Sequence, residues 1–136
     1  MILCDTGVLL CLVDRTQPLH KAYVNAVGQI EKPLITSWAC MAEAMYLALN
    51  QGGWQMQKQL SKFLLSKLVI IHDIQIDDYE RLFRLMEQYQ DRPMDLADAT
   101  LVLAAKKTGV NQILTIDSDF LFYRIADQGS FNIIQI

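Results

Sequence analysis

The chain has 136 residues, a length typical of one domain, and we expect residues 1–136 to form a single domain. Apolar residues make up 52% of the composition, which is enough for a hydrophobic core without disulfide or metal staples. The formal net charge is −3, so the sequence lacks the basic character of proteins that bind nucleic acid by charge alone.

Five short apolar runs, without polar alternation, recur along the chain and predict strands of a parallel sheet buried on both faces. They lie at 1–4 (MILC), 34–36 (LIT), 68–71 (LVII), 112–116 (QILTI) and 132–136 (NIIQI).

Helical spacing of apolar residues fills the intervals between these runs. The predicted helices lie at 19–30, 36–53, 54–65, 79–89 and from 96 to the KKTG motif that closes at Gly109. Gly52 and Gly53 separate the second from the third, which predicts a helix hairpin. Alternating strands and helices indicate the α/β class, as a three-layer α/β/α sandwich around a mostly parallel five-stranded sheet.

Four acidic residues fall where such a sheet presents its ligand-binding edge. Asp5 and Asp117 end the first and fourth predicted strands, while Glu43 and Asp98 lie in early turns of apolar helices. Ligands of parallel sheets bind outside the carboxyl ends of the strands, so these four side chains are expected to converge.

Each acid also has a structural interpretation. Asp5 is equally suited to bond the backbone of its own turn, and Glu43 to face solvent. Asp95 has the spacing of the N-cap of the helix that holds Asp98, and Asp119 that of the N-cap of a helix over FLFYR. Convergence favours a metal site, because clustered carboxylates repel and a hard divalent cation, Mg²⁺ or Mn²⁺, accepts their oxygens. The sequence contains no glycine-rich phosphate loop, G-x-S-x-G motif or Cys/His zinc spacing.

These residues lie in four sequence blocks: ILCDTGVLL, SWACMAEAMY, MDLADATLVLAA and ILTIDSDF. In the order and spacing of these blocks, the chain resembles the PIN-domain family of metal-dependent ribonucleases, in particular VapC-type toxins. The resemblance implies RNA hydrolysis at an acidic quartet of Asp5, Glu43, Asp98 and Asp117. By the same resemblance Asp5, Asp98 and Asp117 hold Mg²⁺ or Mn²⁺. The resemblance further implies four auxiliary residues, Thr6, Asp95, Thr115 and Asp119. The hydroxyls of the two threonines would orient the neighbouring aspartates.

The resemblance also implies a homodimer and a small antitoxin protein as partners. A non-catalytic PIN-like module that binds RNA or protein is the alternative, which would bind metal without cutting RNA. Candidate phosphate contacts, equally typical of ordinary solvated charges, are Arg15, Lys21, Arg92 and Arg124. Six large apolar side chains of the predicted hairpin are expected to lie mostly in the core, with an exposed subset as a possible interface: Trp38, Met41, Met45, Tyr46, Trp54 and Met56.

Three cysteines, Cys4, Cys11 and Cys40, lie in apolar segments and are typical of reduced core residues in a cytoplasmic protein. No apolar run reaches the roughly 18 residues of a membrane-spanning helix, so we expect a cytoplasmic location and no membrane partner.

Overall fold

A computed structural model describes the backbone of residues 1–136 and every side chain except that of Gln128. Its main sheet has five strands, β1 (Ile2–Cys4), β2 (Leu34–Thr36), β3 (Val69–Ile71), β4 (Gln112–Leu114) and β7 (Asn132–Ile133). Their order in the sheet is β3-β2-β1-β4-β7, and every neighbouring pair is parallel. A short antiparallel pair lies outside this sheet and consists of β5 (Arg124–Ile125) and β6 (Gly129–Ser130).

Five α-helices connect and cover the strands. They are α1 (Thr6–Val13), α2 (His20–Gln29), α3 (Trp38–Leu65), α4 (Tyr79–Gln88) and α5 (Leu96–Thr108). Three 3₁₀ helices span Ile76–Asp78, Ser118–Leu121 and Ala126–Gln128. The sequence predicts no helix at α1, which begins immediately after β1. No helix among the residues described is long and apolar enough to cross a membrane.

Both faces of the sheet are buried, as the lack of polar alternation predicts. Leu3 and Ile113 point into a core shared with α4 and α5. Ile2, Cys4 and Leu114 point the other way, into a core shared with α1, α2 and α3. The three-layer α/β/α sandwich is therefore confirmed, and the free cysteines Cys4, Cys11 and Cys40 are all buried in it.

The predicted helix hairpin occurs within α3, where Gly53 adopts non-helical angles (φ 66°, ψ −159°). In a continuous helix, Met45 and Gln57 would lie about 18 Å apart. Instead, the Gln57 side chain donates a hydrogen bond of 3.1 Å to the Met45 carbonyl, so the second half of α3 folds back on the first.

The expectation that the large side chains of this hairpin lie mostly in the core is wrong for its aromatic residues. Met41 is buried, but Trp38, Tyr46 and Trp54 are 59%, 64% and 62% exposed. The small residues Ala44 and Ala48 are buried instead, so the helix face that packs on α1 and the sheet has little room for rings.

The carboxyl ends of two strands differ from the prediction. β4 ends at Leu114 rather than at residue 116, and just beyond it the Thr115 hydroxyl donates to the Asp5 carboxylate and accepts from the Asp117 N–H. β7 ends at Ile133 rather than at residue 136. Asp117 therefore lies three residues beyond the strand, in a turn that leads into the 3₁₀ helix at Ser118–Leu121.

Candidate metal centre

Asp5 lies at the junction between β1 and α1, at the centre of the sheet. Its backbone N–H donates to the Leu114 carbonyl (3.1 Å), which continues the pairing of β1 with β4. Its side chain caps α1, because Oδ1 accepts a hydrogen bond from the Thr6 N–H (2.8 Å). Oδ2 accepts one from the Thr115 hydroxyl (2.9 Å). Asp5 is thus both a turn residue and a buried carboxylate held from two sides.

The two threonines act differently from each other. The resemblance implies that both hydroxyls orient aspartates, and the Thr115 hydroxyl does contact Asp5. The hydroxyl of Thr6 instead donates to the Cys40 carbonyl at 3.4 Å, and only the backbone N–H of Thr6 reaches Asp5. Because that N–H opens α1, its bond to Asp5 depends on the helix and would survive replacement of the threonine side chain.

Asp98 is held in the first turn of α5 by two neighbours. Asp95 is the N-cap, as predicted, and its side chain accepts a hydrogen bond of 2.7 Å from the Asp98 N–H. The Tyr123 hydroxyl donates to Asp98 Oδ2 at 2.9 Å. Tyr123 is fully buried and packs edge-on against the rings of Tyr89 and Phe120. Nothing in the sequence distinguishes Tyr123 as a site residue, because a tyrosine in an apolar run is more often a core residue.

Asp117 is fixed by its own backbone. Its N–H donates to the Thr115 hydroxyl (2.9 Å), and its Oδ1 accepts from the Asp119 N–H (2.9 Å). Asp117 is therefore the cap of the following 3₁₀ helix, and the prediction that Asp119 is the cap is wrong. Asp119 lies one residue inside that helix, where its carboxylate forms an ion pair with Arg92 (3.2 Å).

Three of the four predicted site residues converge closely. Ligand oxygens of Asp5, Asp98 and Asp117 lie within 4.8 Å of one another, at the carboxyl edge of the sheet. Glu43 and Asp95 line the same pocket, although both are exposed to solvent. Asp119 is absent from the pocket lining described, in keeping with its pairing to Arg92.

Burial makes the two inner carboxylates hard to ionise. Burial, together with the negative charge of Asp117, raises the pKa of Asp5 to about 6, against hydrogen bonds from Thr115 and Thr6 that lower it. Burial likewise raises the pKa of Asp98 to about 7, against the lowering effect of the Tyr123 hydroxyl. Burial and the charge of Asp95 raise the pKa of Glu43.

The donor set fits a hard divalent cation. The pocket lining that the structure describes contains five carboxylates and no lysine, arginine or histidine. No protein cation therefore neutralises the charge inside this pocket. Carboxylate oxygens at this spacing are the ligands preferred by Mg²⁺ and Mn²⁺, which also retain water molecules in open positions.

The candidate phosphate contacts are dispersed. Arg92 pairs with Asp119 and stacks over the Phe122 ring, 3.3 Å from its centroid. Arg15 and Lys21 lie together at another surface pocket, while Arg124 lies in β5. None of these four residues is part of the acidic pocket lining described.

Comparison with known proteins places the chain in a family. The family model described as PIN domain matches residues 2–128. Ribonuclease VapC26 of Mycobacterium tuberculosis is 26% identical over 134 residues, which cover 98% of this chain and 99% of that protein. The crystal structure of M. tuberculosis VapC20, described as a Sarcin-Ricin loop cleaving toxin, superposes with a TM-score of 0.81 at 19% identity, covering 88% of this chain and 92% of that one. Since the family model spans nearly the whole sequence, the chain belongs to the PIN domain family.

Proposed function

We propose that this protein is a metal-dependent endoribonuclease that hydrolyses RNA phosphodiester bonds, and that it is the toxin of a type II toxin–antitoxin pair. The observation that carries the proposal is the convergence of Asp5, Asp98 and Asp117 within 4.8 Å in a pocket without a protein cation. The similarity to two proteins named as a ribonuclease and a Sarcin-Ricin loop cleaving toxin supports it. In this proposal residues 1–136 act as one nuclease domain.

Asp5, Asp98 and Asp117 would hold Mg²⁺ or Mn²⁺. When bound, such an ion lowers the pKa of a coordinated water and stabilises negative charge on the phosphate. The protein's own contribution is to fix the carboxylates before the ion arrives. Thr115 holds Asp5 and the backbone of Asp117, while Tyr123 holds Asp98.

Glu43 is proposed as the group that takes up the proton of the attacking water. It lines the pocket without belonging to the cluster of three, and it is exposed enough to exchange protons with solvent. Its raised pKa brings it closer to neutral pH, where a general base is most effective.

The proposed partners are an RNA substrate, a second copy of the chain and a small antitoxin protein, all in the cytoplasm. The three exposed aromatic side chains of α3, namely Trp38, Tyr46 and Trp54, support a protein interface, since such rings are enriched at binding surfaces.

Cleavage of structured RNAs by purified protein in Mg²⁺ or Mn²⁺ tests the proposal. The wild-type protein is expected to cut at discrete sites, and chelation of the metal is expected to abolish cutting. Asp5→Asn and Asp98→Asn, purified identically, are expected to be inactive, which separates this activity from contaminating ribonuclease.

Cutting at the same rate by wild type and both variants would contradict the proposal. Metal binding by the wild type without cleavage of any RNA in the panel would favour a non-catalytic module that binds RNA or protein.

A further inference from the structure

A second pocket, distinct from the acidic one, lies between α4, α5 and β5. The structure describes four cations in its lining, Arg81, Arg84, Lys106 and Arg124, against one acid, Asp127. The two pockets share no lining residue. One third of the chain's 12 lysines and arginines therefore surround a single depression, in a protein of net charge −3.

The floor and rim of this pocket differ in chemistry. Val102 and Leu103 are 2% and 1% exposed and form an apolar base, whereas Arg81, Arg84 and Arg124 are exposed at the rim. The cationic rim is suited to the phosphates of a nucleic acid, and the apolar base is suited to the flat face of a nucleobase.

The rim cations retain capacity to bind an anion. The Arg124 guanidinium is anchored through Nη1, which donates to the carbonyls of Leu121 and Tyr123 (both 3.0 Å). Arg84 pairs with Glu80 at the surface of α4, where both side chains are more than 70% exposed. Exposed pairs of this kind are worth little and exchange readily for a phosphate.

Helix α5 links the two pockets. Asp98 lies in its first turn and Lys106 in its last, which separates them by about 12 Å along the helix axis. Arg124 also directly follows Tyr123, the residue bonded to Asp98. An RNA chain of a few nucleotides is long enough to reach from one pocket to the other.

We propose that the pocket between α4, α5 and β5 is a binding subsite for the phosphodiester backbone of the RNA substrate; this inference rests on the proposed function. The acidic pocket repels a polyanion, so affinity for RNA must come from cations elsewhere. This pocket supplies the densest group of cations among the pockets that the structure describes.

The test measures RNA binding without cleavage. A labelled single-stranded oligoribonucleotide is titrated with protein in EDTA, by fluorescence anisotropy, over about 50 to 200 mM salt. The variant is Arg81→Gln/Arg84→Gln. The matched control is Lys58→Gln/Lys62→Gln, which removes two exposed helix cations from α3 and gives the same net charge. Thermal unfolding checks that both proteins fold.

The pocket variant is expected to bind RNA about tenfold more weakly, and the magnitude of its negative slope of log affinity against log salt is expected to fall by about 1.4. The control is expected to match the wild type. Equal RNA binding by the pocket variant and the wild type would overturn the inference, as would an equal loss in the control or no binding by the wild type.

Two further arms separate the inference from its alternatives. If the pocket variant keeps its RNA affinity but loses affinity for poly-glutamate, the pocket belongs to an acidic protein segment and the RNA assignment is wrong. Failure of the proposed function would appear separately, as absence of metal-dependent cleavage by the wild-type protein, because the binding measurement in EDTA requires neither metal nor catalysis.

Discussion

Asp98 and Asp5 are carboxyl groups whose pKa values the fold raises toward neutral pH. Each is 7% exposed, and burial raises their pKa values to about 7 and about 6 from the ordinary 3.8. The hydrogen bonds from Tyr123 and Thr115 act in the opposite direction. Both groups are therefore harder to ionise than exposed carboxyl groups, and a bound metal ion favours their ionised forms.

Metal affinity should therefore depend on pH. Because both carboxyls bind protons more tightly in the folded chain than in the unfolded one, they lower the stability of the metal-free protein as pH rises from about 4 to about 7. A metal ion must displace these protons, so its affinity should rise about 100-fold between about pH 5.5 and about pH 8. Calorimetric titration with Mn²⁺ in buffers of different ionisation enthalpy measures both affinity and proton release. An affinity independent of pH would contradict this assignment.

Tyr123→Phe isolates the contribution of one hydroxyl. Losing the donor should raise the pKa of Asp98 further and weaken Mn²⁺ binding about tenfold at neutral pH, as expected for a residue that positions a metal ligand. The ring contacts with Tyr89 and Phe120 remain, so the melting temperature should change little. Tyr46→Phe, at an exposed position, is the control. A loss of stability without a change in metal affinity would assign Tyr123 a structural role only.

The sequence predicts some of these residue-level contacts and not others. Asp95 is found as an N-cap because capping is local, with donor and acceptor three residues apart. Asp119 is misassigned because Asp117, two residues earlier, competes for the same role and its bond to Thr115 sets where the turn begins. The bond from Tyr123 to Asp98 spans 25 residues, and no local pattern predicts it.

At the scale of elements, the reversal within α3 depends on a glycine. The angles of Gly53 (φ 66°, ψ −159°) lie in a region that is essentially restricted to glycine. A Cβ atom at this position would meet no atom within 4 Å, so any cost of a side chain arises from the backbone alone.

Gly53→Ala should therefore lower the free energy of unfolding by about 1–3 kcal/mol. Gly28→Ala is a matched control, because Gly28 lies in α2 with ordinary helical geometry and also has open space for a Cβ. That change should raise the free energy of unfolding by about 0.5–1 kcal/mol. Urea denaturation measures both. Equal effects of the two substitutions would show that the angles at residue 53 are not a constraint.

The sequence predicts which segments form strands and helices better than it predicts what packs against them. The apolar runs predict all five strands of the main sheet, because burial on both faces leaves an uninterrupted pattern. The same periodicity identifies the α3 hairpin but not which of its faces is covered. Helix α3 packs against neighbouring elements through Ala44 and Ala48, and Trp38 and Trp54 remain exposed. The sequence of α3 does not show which of its faces those elements cover. Helix α1 is not predicted by this pattern, because its apolar residues are buried nearly all round and have no helical periodicity.

At the scale of the whole molecule, the net charge of −3 conceals a division of charge. One pocket contains only acids among its described charged residues, and another contains four cations and one acid. Such a division suits the proposed nuclease, since carboxylates are needed to hold the metal ion while cations on another surface attract the anionic substrate. The net charge sums over the whole chain, so it reveals neither the acidic pocket nor the cationic one.

We propose that Asp5, Asp98 and Asp117 together hold a divalent metal ion. The most direct test is calorimetric titration of Mn²⁺ into the wild-type protein, Asp98→Asn and the surface control Asp91→Asn, at about pH 8 where the carboxylates are ionised. Wild type and control should bind with the same affinity, and Asp98→Asn should bind at least about tenfold more weakly. Removing one of three repelling carboxylates should leave the metal-free variant folded and at least as stable. Equal Mn²⁺ affinity in all three proteins would contradict the claim.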